Sequence, residues 1–116
     1  MLLQETKIRN VSGISSKQKK EICKFLQGCV YCWCNNNSDQ WFSLRDLMGD
    51  NNFDWHDTPL IVLFEKHRYN LQKTKEDAIR DAGKDAGWLL KKVISEDNRN
   101  FDTKKENLIR QYQWIK

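Results

Sequence analysis

The feature that most constrains this chain is a run of helix-capping residues between positions 41 and 59, WFSLRDLMGDNNFDWHDTP. Ser43 followed by Asp46 forms a capping box, which marks the start of a helix. The pair Thr58-Pro59 supplies the cap and the first turn of another helix. The segment therefore predicts a very short helix after Ser43, a polar loop, and then a longer helix.

Similar caps mark the starts of two further helices. Ser15 with Gln18 opens the first helix, and Thr74 opens the longest one. The longest helix carries a seam of small residues, in which Gly83 and Gly87 lie beside three alanines: Ala78, Ala82 and Ala86. Because small residues let another backbone approach closely, we expect a tightly packed neighbour along this seam.

The last segment fits two structures. Residues 108–115, LIRQYQWI, have apolar positions at helical spacing but also alternate as a strand does. Thr103 followed by Glu106 is a further capping pattern, and it favours the helix. The predicted fold is therefore all-α, a compact bundle of about five helices, with a minor terminal strand as the variant. We expect an N-terminal arm at residues 1–14 and a single helical domain at residues 15–116.

The length of the chain allows a core to form without disulfide or metal support. It has 116 residues, four of them cysteines. The opening MLLQETKIRN has no long apolar run, and no stretch approaches the roughly 18 apolar residues of a membrane-spanning helix. We therefore expect a cytoplasmic protein with reduced thiols, no membrane association and no cofactor.

Charge is distributed unevenly along the chain. The net charge is +4, and six lysines and arginines lie in the first 25 residues against two glutamates. Residues 35–58 have the opposite balance, with five aspartates against Arg45. Such segmentation suits a charged partner, although neighbouring segments of the fold can also neutralise each other.

The cysteines are the first candidates for a metal site. Cys29 and Cys32 have the C-x2-C spacing of zinc ligands, with Cys23 before them and Cys34 after them. No second pair of ligands follows, and residues two apart on a helix point in different directions. Zinc binding and thioredoxin-like redox chemistry remain alternatives, but we expect Cys29 to pack in the core as a small apolar residue.

The loop after residue 49 resembles the start of a calcium-binding loop. Asp50, Asn52 and Asp54 alternate as calcium ligands do, and His56 follows them as a further metal candidate. However, the sixth loop position is Trp55 instead of glycine, and the twelfth is not a glutamate. We favour a turn in which the polar side chains bond to their own backbone while Phe53 and Trp55 cover the core.

Catalysis is the less favoured interpretation. His67 lies on the apolar stripe of the third helix, which predicts a buried, hydrogen-bonded histidine instead of a catalyst. Asp77, Asp81 and Asp85 form a carboxylate row on the longest helix, which is typical of a solvated face with modest ion pairs. No hydrolase, metalloprotease or phosphate-loop motif is present in the sequence.

Nucleic-acid binding is the leading hypothesis. A helix-turn-helix-like arrangement is compatible with the order of the first three helices, and the outer side of the third helix is then the recognition surface. The residues predicted to contact DNA are Lys17, Lys20, Lys24, Lys66, Arg68 and Tyr69. Against this, about nine residues separate the second and third helices, where three or four are usual, and that loop is acidic.

Two other functions remain open. The first alternative is a protein-interaction module or homodimer that uses the small-residue seam of the longest helix. The second is a small enzyme whose Cys, His or Asp groups come together only in the folded chain. We lean towards a non-catalytic binding domain.

Overall fold

The computed structural model describes residues 1–4, 6–50 and 54–116. The elements in this part of the chain are the α-helices Ser16–Asn36 (α1), Leu44–Leu47 (α2), Ile61–Glu65 (α3) and Lys75–Glu96 (α4), a π-helix at Lys66–Asn70, and the strands Asn100–Glu106 (β1) and Ile109–Ile115 (β2). The fold of the described residues is therefore mixed α/β, and the prediction of an all-α bundle of five helices is wrong.

The capping predictions for three helices are confirmed. The Gln18 N–H donates to Ser15 Oγ (3.0 Å), and the Ser15 N–H donates to Gln18 Oε1 (2.9 Å). Ser43 and Asp46 make the same reciprocal pair at α2. Thr74 caps α4 by accepting a hydrogen bond from a backbone N–H of the first turn. Side-chain acceptors thus satisfy N–H groups that have no partner within the helix.

The third helix departs from its prediction at both ends. Thr58 Oγ1 donates to the Trp55 carbonyl (2.9 Å) and closes a turn, so that α3 begins at Ile61. After Glu65 the backbone widens into the π-helix, where the Leu71 N–H donates to the Lys66 carbonyl five residues earlier (3.0 Å). Because this wider turn shifts the helical phase, Leu71, which lies four residues after the buried His67, is 53% exposed.

The helix expected at the C-terminus is instead a β-hairpin. Strands β1 and β2 pair antiparallel, and the two residues that join them, Asn107 and Leu108, both have positive φ (51° and 65°). This is the two-residue turn that matches the twist of a hairpin. Thr103 does not cap a helix, because it lies within β1 and its Oγ1 donates to the Gln111 carbonyl (2.9 Å).

Both edges of the hairpin are covered over part of their length. Phe42 pairs with Tyr112 through two backbone hydrogen bonds of 2.8 Å, and Leu2 forms a parallel bridge with Phe101. An isolated hairpin is marginally stable in water, so these bridges and the core beneath them hold it in place. The expected helix-turn-helix-like arrangement is also not found among the described residues. Helix α2 is only four residues long, and it begins directly after Ser43, next to the Phe42 bridge to the hairpin.

The core lies around α4. Helix α1 packs against one side of it, and α3 with the π-helix packs against another. The buried residues of α1 include Ile22, Leu26 and Val30, which recur every four positions on one face of the helix. The hairpin contributes Phe101 and Tyr112, whose rings lie 6.3 and 5.9 Å from that of Phe42.

Candidate functional site

The described part of the chain has a cleft of about 830 Å³. Helix α4 forms its floor, and the start of α2, the hairpin and Arg9 form its rim. We call it the basic cleft, because seven cationic side chains line it: Arg9, Arg45, Arg80, Lys84, Lys91, Lys105 and Arg110. Glu76 is the one acidic residue among its described lining residues. Such an excess of one charge sign in a concave surface attracts anions.

The hairpin register places two of these cations directly opposite each other. Lys105 of β1 pairs with Arg110 of β2, on the strand face that also carries Thr103 and Tyr112. Like charges directly opposite on neighbouring strands destabilise a sheet. Among the described residues, no carboxylate lies within ion-pair distance of either side chain. Arg110 donates a long hydrogen bond to Thr103 Oγ1 (3.4 Å), so within the described residues the repulsion is not offset by a negative charge.

Lys91 adds a third positive charge from the floor of the cleft. It is buried, its Nζ donates to Thr6 Oγ1, and it lies 5.1 Å from the centre of the Trp88 ring. Burial lowers the pKa of Lys91, and the positive charges of Arg110 and Lys105 lower it further. Glu5, next to Thr6 in the sequence, lies outside the described residues. A bound anion would favour the protonated amine.

Tyr112 is a lining residue of the cleft that carries a buried polar group. The residue is 1% exposed, and its Oη has no hydrogen-bond partner among the described residues. Burial raises the pKa of the Tyr112 phenol, so the hydroxyl keeps its proton and can donate a hydrogen bond. A buried hydroxyl without a partner destabilises the fold, and such groups are rare in native proteins.

The small-residue seam of α4 divides between the core and the cleft. Its alanines, Ala78, Ala82 and Ala86, are buried as predicted. Gly83 and Gly87 instead line the basic cleft, and a Cβ added to Gly87 would have no neighbour within 4 Å. The prediction of a closely packed neighbour is therefore wrong at Gly87 within the single chain.

The predicted nucleic-acid residues lie outside the basic cleft. Lys17, Lys20 and Lys24 are exposed on α1, and Tyr69 is 64% exposed. Lys66 does not point outwards as predicted. It is buried, and its Nζ donates to Asp85 Oδ2 (2.7 Å) and the Ser12 carbonyl (2.6 Å). Arg68 is half-buried and donates to the Lys73 carbonyl (3.1 Å). Lys66 is inside because it lies three residues after the buried Leu63, on the same helical face.

Lys66 belongs to a second charged region, which we call the polar network: Lys66, His67, Lys73, Asp81 and Asp85. His67 Nε2 lies 2.7 Å from Asp85 Oδ2, and Nδ1 lies 2.8 Å from Lys73 Nζ. Since the lysine ammonium group can only donate, Nδ1 accepts, and Nε2 carries the proton that is donated to Asp85. The prediction of a buried, hydrogen-bonded histidine is confirmed.

The carboxylate row of α4 is less solvated than predicted. Asp81 and Asp85 are half-buried and bonded to cations of the polar network, and Asp77 makes a surface pair with Arg80 (3.3 Å). The hydrogen bond from Lys73 (2.9 Å) lowers the pKa of Asp81 to about 2, with a further contribution from Arg80. Two of the three carboxylates thus join α4 to the π-helix and its C-terminal neighbour Lys73.

The metal candidates remain dispersed. No group of three or more His, Cys, Asp or Glu side chains suited to a metal ion occurs among residues 1–4, 6–50 and 54–116. Cys34 is buried, whereas Cys29, which we expected in the core, is half-buried, and Cys32 is exposed. Burial raises the pKa of Cys23, Cys29 and Cys34, which disfavours the thiolate that binds metals.

The loop that resembles a calcium site is described only in part. Asp50, Asp54 and His56 are exposed, and Trp55 is buried as predicted. Asn52 and Phe53 lie outside the described residues.

The sequence interpretation missed Lys91, Lys105, Arg110 and Tyr112. Lys105 and Arg110 are cleft residues because of the hairpin register, so a helix at the C-terminus could not bring them together. Part of the signal for that register was present: Asn107 is a residue type that accepts positive φ in a tight turn, and the segment after it, IRQYQWI, alternates as a strand does. No pattern in the sequence marks Lys91 as a cleft residue, because its burial depends on contacts with Thr6 and Trp88.

Within the described residues, no helix has the length and apolar character needed to cross a membrane. We compared the chain with protein-family models, curated proteins and solved structures, and none of these comparisons found a match. Function is therefore inferred from the geometry of the basic cleft.

Proposed function

We propose that this protein binds nucleic acid and holds part of the phosphate backbone in the basic cleft. One observation carries the proposal: seven cationic side chains surround a cleft of about 830 Å³ in which Glu76 is the one described carboxylate. A positively charged groove that follows the backbone is the common feature of proteins that bind nucleic acid without strong sequence preference. The cleft thus replaces the outer side of the third helix as the proposed contact surface.

The composition of the cleft favours binding over catalysis. Its described lining contains no histidine or cysteine, and the Ser43 hydroxyl is already bonded to the Asp46 carboxylate (3.2 Å) in the cap of α2. Lys and Arg side chains, by contrast, are the groups that displace counterions from a phosphate backbone. The exposed lysines of α1 (Lys17, Lys20 and Lys24) lie outside this cleft and are not part of the proposed contact surface. We also keep as a proposal that the chain acts in the cytoplasm, where its thiols stay reduced.

The test is a titration of labelled DNA, single-stranded and duplex, followed by fluorescence anisotropy at about 50 and 200 mM salt. Binding at low salt should weaken steeply at higher salt. The double variant Lys105→Gln/Arg110→Gln should weaken binding further and make the logarithmic salt slope shallower by about two.

The matched control removes the same amount of charge from α1, as Lys17→Gln/Lys24→Gln. Both control residues are exposed and lie outside the basic cleft. The control should retain most of the affinity. Equal losses in the two double variants would show that only net charge matters, and absence of binding at about 50 mM salt would refute the proposed function.

Self-association is the second candidate. Leu108, at the tip of the hairpin and on the rim of the cleft, is 89% exposed, and the face of α4 at Gly87 is open. A second copy of the chain that covered both features would bury apolar area that is now in water. The solution mass of the purified protein distinguishes this candidate, because it requires a dimer that Leu108→Ser dissociates.

A further inference from the structure

The inner end of the basic cleft combines unpaired positive charge with an unpaired hydroxyl. Lys105 and Arg110 face each other across the hairpin, and the buried Lys91 lies close enough for both to affect its ionisation. Among the described residues, none of the three cations forms an ion pair. Elsewhere in the described fold, buried cations have carboxylate partners, as Lys66 has Asp85 (2.7 Å).

Tyr112 lies on the same strand face as Arg110, two residues further along β2. Its ring is fixed between the core and the cleft by backbone pairing with Phe42 and by the ring contact at 5.9 Å. The Oη atom is buried without a partner among the described residues, and it remains protonated because burial raises the pKa of the phenol. It is therefore a positioned hydrogen-bond donor next to a cluster of cations.

We propose that Lys91, Lys105, Arg110 and Tyr112 form a subsite for a phosphate group. The planar guanidinium of Arg110 and the two ammonium groups supply charge, and the Tyr112 hydroxyl donates a hydrogen bond to a phosphate oxygen. The inference deepens the proposed function and rests on it, because the group bound here is one phosphate of the nucleic-acid strand. A free phosphate offers the same chemistry, so inorganic phosphate serves as a probe.

Phosphate binding resolves both unfavourable features of the cleft at once. A phosphate anion between Lys105 and Arg110, whether the singly charged phosphodiester of a strand or free phosphate, converts their mutual repulsion into attraction to a shared partner. It also satisfies the Tyr112 hydroxyl, which the fold leaves without a partner. Chloride also attracts the two cations, but it is a single acceptor atom and cannot contact Lys105, Arg110 and the Tyr112 hydroxyl together as the several oxygens of phosphate can.

The decisive variant is Tyr112→Phe, which removes one oxygen and keeps the ring. We would measure the midpoint of thermal unfolding of the full chain in about 20 mM phosphate and in chloride of the same ionic strength. Phosphate should raise the midpoint of the wild type. Without phosphate, Tyr112→Phe should be at least as stable as the wild type, because an unpaired buried hydroxyl has been removed. Its apparent affinity for phosphate should be about tenfold weaker, the loss expected for one hydrogen bond to a charged acceptor.

Tyr69→Phe is the matched control, because it removes the same hydroxyl from an exposed tyrosine outside the cleft. It should respond to phosphate as the wild type does. Arg110→Gln is the second variant, and it should lose the phosphate effect even if Tyr112→Phe fails to fold. A phosphate effect that is absent from the wild type, or unchanged in both cleft variants, would overturn the subsite.

The same variants separate the subsite from the proposed function. If labelled DNA binds through Lys105 and Arg110 but ignores Tyr112→Phe, nucleic-acid binding stands and the subsite is refuted. If phosphate stabilises the wild type through Tyr112 while DNA does not bind at about 50 mM salt, the subsite stands and the nucleic-acid function is refuted.

Discussion

Helix α4 separates two charged regions whose cations are paired to different extents. In the basic cleft, Arg80 and Lys84 contact Asp81 at the surface (3.2 and 4.0 Å), but three other cations are unpaired within the described part of the chain. In the polar network every lysine has a carboxylate partner: Lys66 has Asp85 (2.7 Å) and Lys73 has Asp81 (2.9 Å). In the basic cleft, Lys91, Lys105 and Arg110 have no such partner among the described residues. Both regions contain lysines and include residues of α4, so residue type alone does not distinguish them.

This difference distinguishes charged side chains that stabilise the fold from charged side chains that are available to bind a ligand. A buried charge that lacks a partner destabilises the fold, so a paired network is part of what makes the native state unique. A cluster of unpaired cations at an open cleft carries a smaller penalty, because solvent reaches it, and the penalty falls when an anion binds. Variants of the polar network should therefore change stability, and variants of the basic cleft should change binding.

The largest expected effect is from Asp85→Ala in the polar network. The variant leaves the buried Lys66 ammonium without its carboxylate and removes the acceptor of His67 Nε2. Loss of one partner of a buried ion pair typically lowers the free energy of unfolding by about 3–5 kcal/mol. Urea denaturation measures the change. The control is Asp77→Asn, which breaks an exposed pair with Arg80 and should stay close to the wild type. Equal stability of the two variants would contradict the structural role of the network.

The second largest expected effect is a loss of stability of the polar network in acid. The pKa of Asp81 is lowered from its ordinary value of 3.8 to about 2, chiefly by the hydrogen bond from Lys73. The unfolded chain therefore binds more protons than the folded one between these values, so stability is complete above pH 4 and is lost as the pH falls towards 2. The contribution is at most about 2 kcal/mol. Denaturation at a series of pH values should show a shallower acid dependence for Asp81→Asn than for the wild type.

In the basic cleft, Gly87→Ala should raise stability while it weakens binding. An alanine in the middle of a helix is favoured over glycine by about 1 kcal/mol, and at Gly87 the added Cβ meets no atom within 4 Å. The methyl group occupies space above the floor of the cleft, so affinity for DNA should fall. Gly28→Ala in α1 is the matched control, because its Cβ is equally free and lies outside the cleft. It should gain the same stability with unchanged binding, and equal affinities of the two variants would show that the ligand does not approach α4.

Local signals in the sequence predicted the helix caps and the buried histidine of the polar network. The caps at Ser15, Ser43 and Thr74 are interactions among residues three apart, so sequence spacing suffices to identify them. The hydrogen-bonded His67 followed from its position on an apolar stripe. The inward orientation of Lys66 did not follow, because it depends on Asp85, nineteen residues away, and on the Ser12 carbonyl.

The basic cleft was not predictable in the same way, because the C-terminal segment was wrongly assigned as a helix. The pattern of Thr103 and Glu106 imitates a helix cap, and it outweighed the strand-like alternation of the residues that follow. With a helix there, Lys105 and Arg110 have no register that brings them face to face. Contacts distant in sequence, such as the bridges of Phe42 and Leu2 to the hairpin, decided the outcome.

The smallest expected change in stability is also the sharpest test of the cleft. Lys105→Glu places a carboxylate opposite Arg110 and turns a like-charge pair into an ion pair, which should raise the free energy of unfolding by about 0.2–1 kcal/mol. The same variant should abolish the phosphate effect and weaken DNA binding, because the new carboxylate competes for Arg110. Lys104→Glu makes the identical charge change one residue away, on the opposite face of β1. It should keep the phosphate effect, so urea denaturation and phosphate titration of the two variants separate the position of the charge from its amount. A Lys105→Glu protein that is less stable than the wild type would mean that Lys105 and Arg110 do not repel each other, and the cleft would then lack the unpaired charge on which its function is argued.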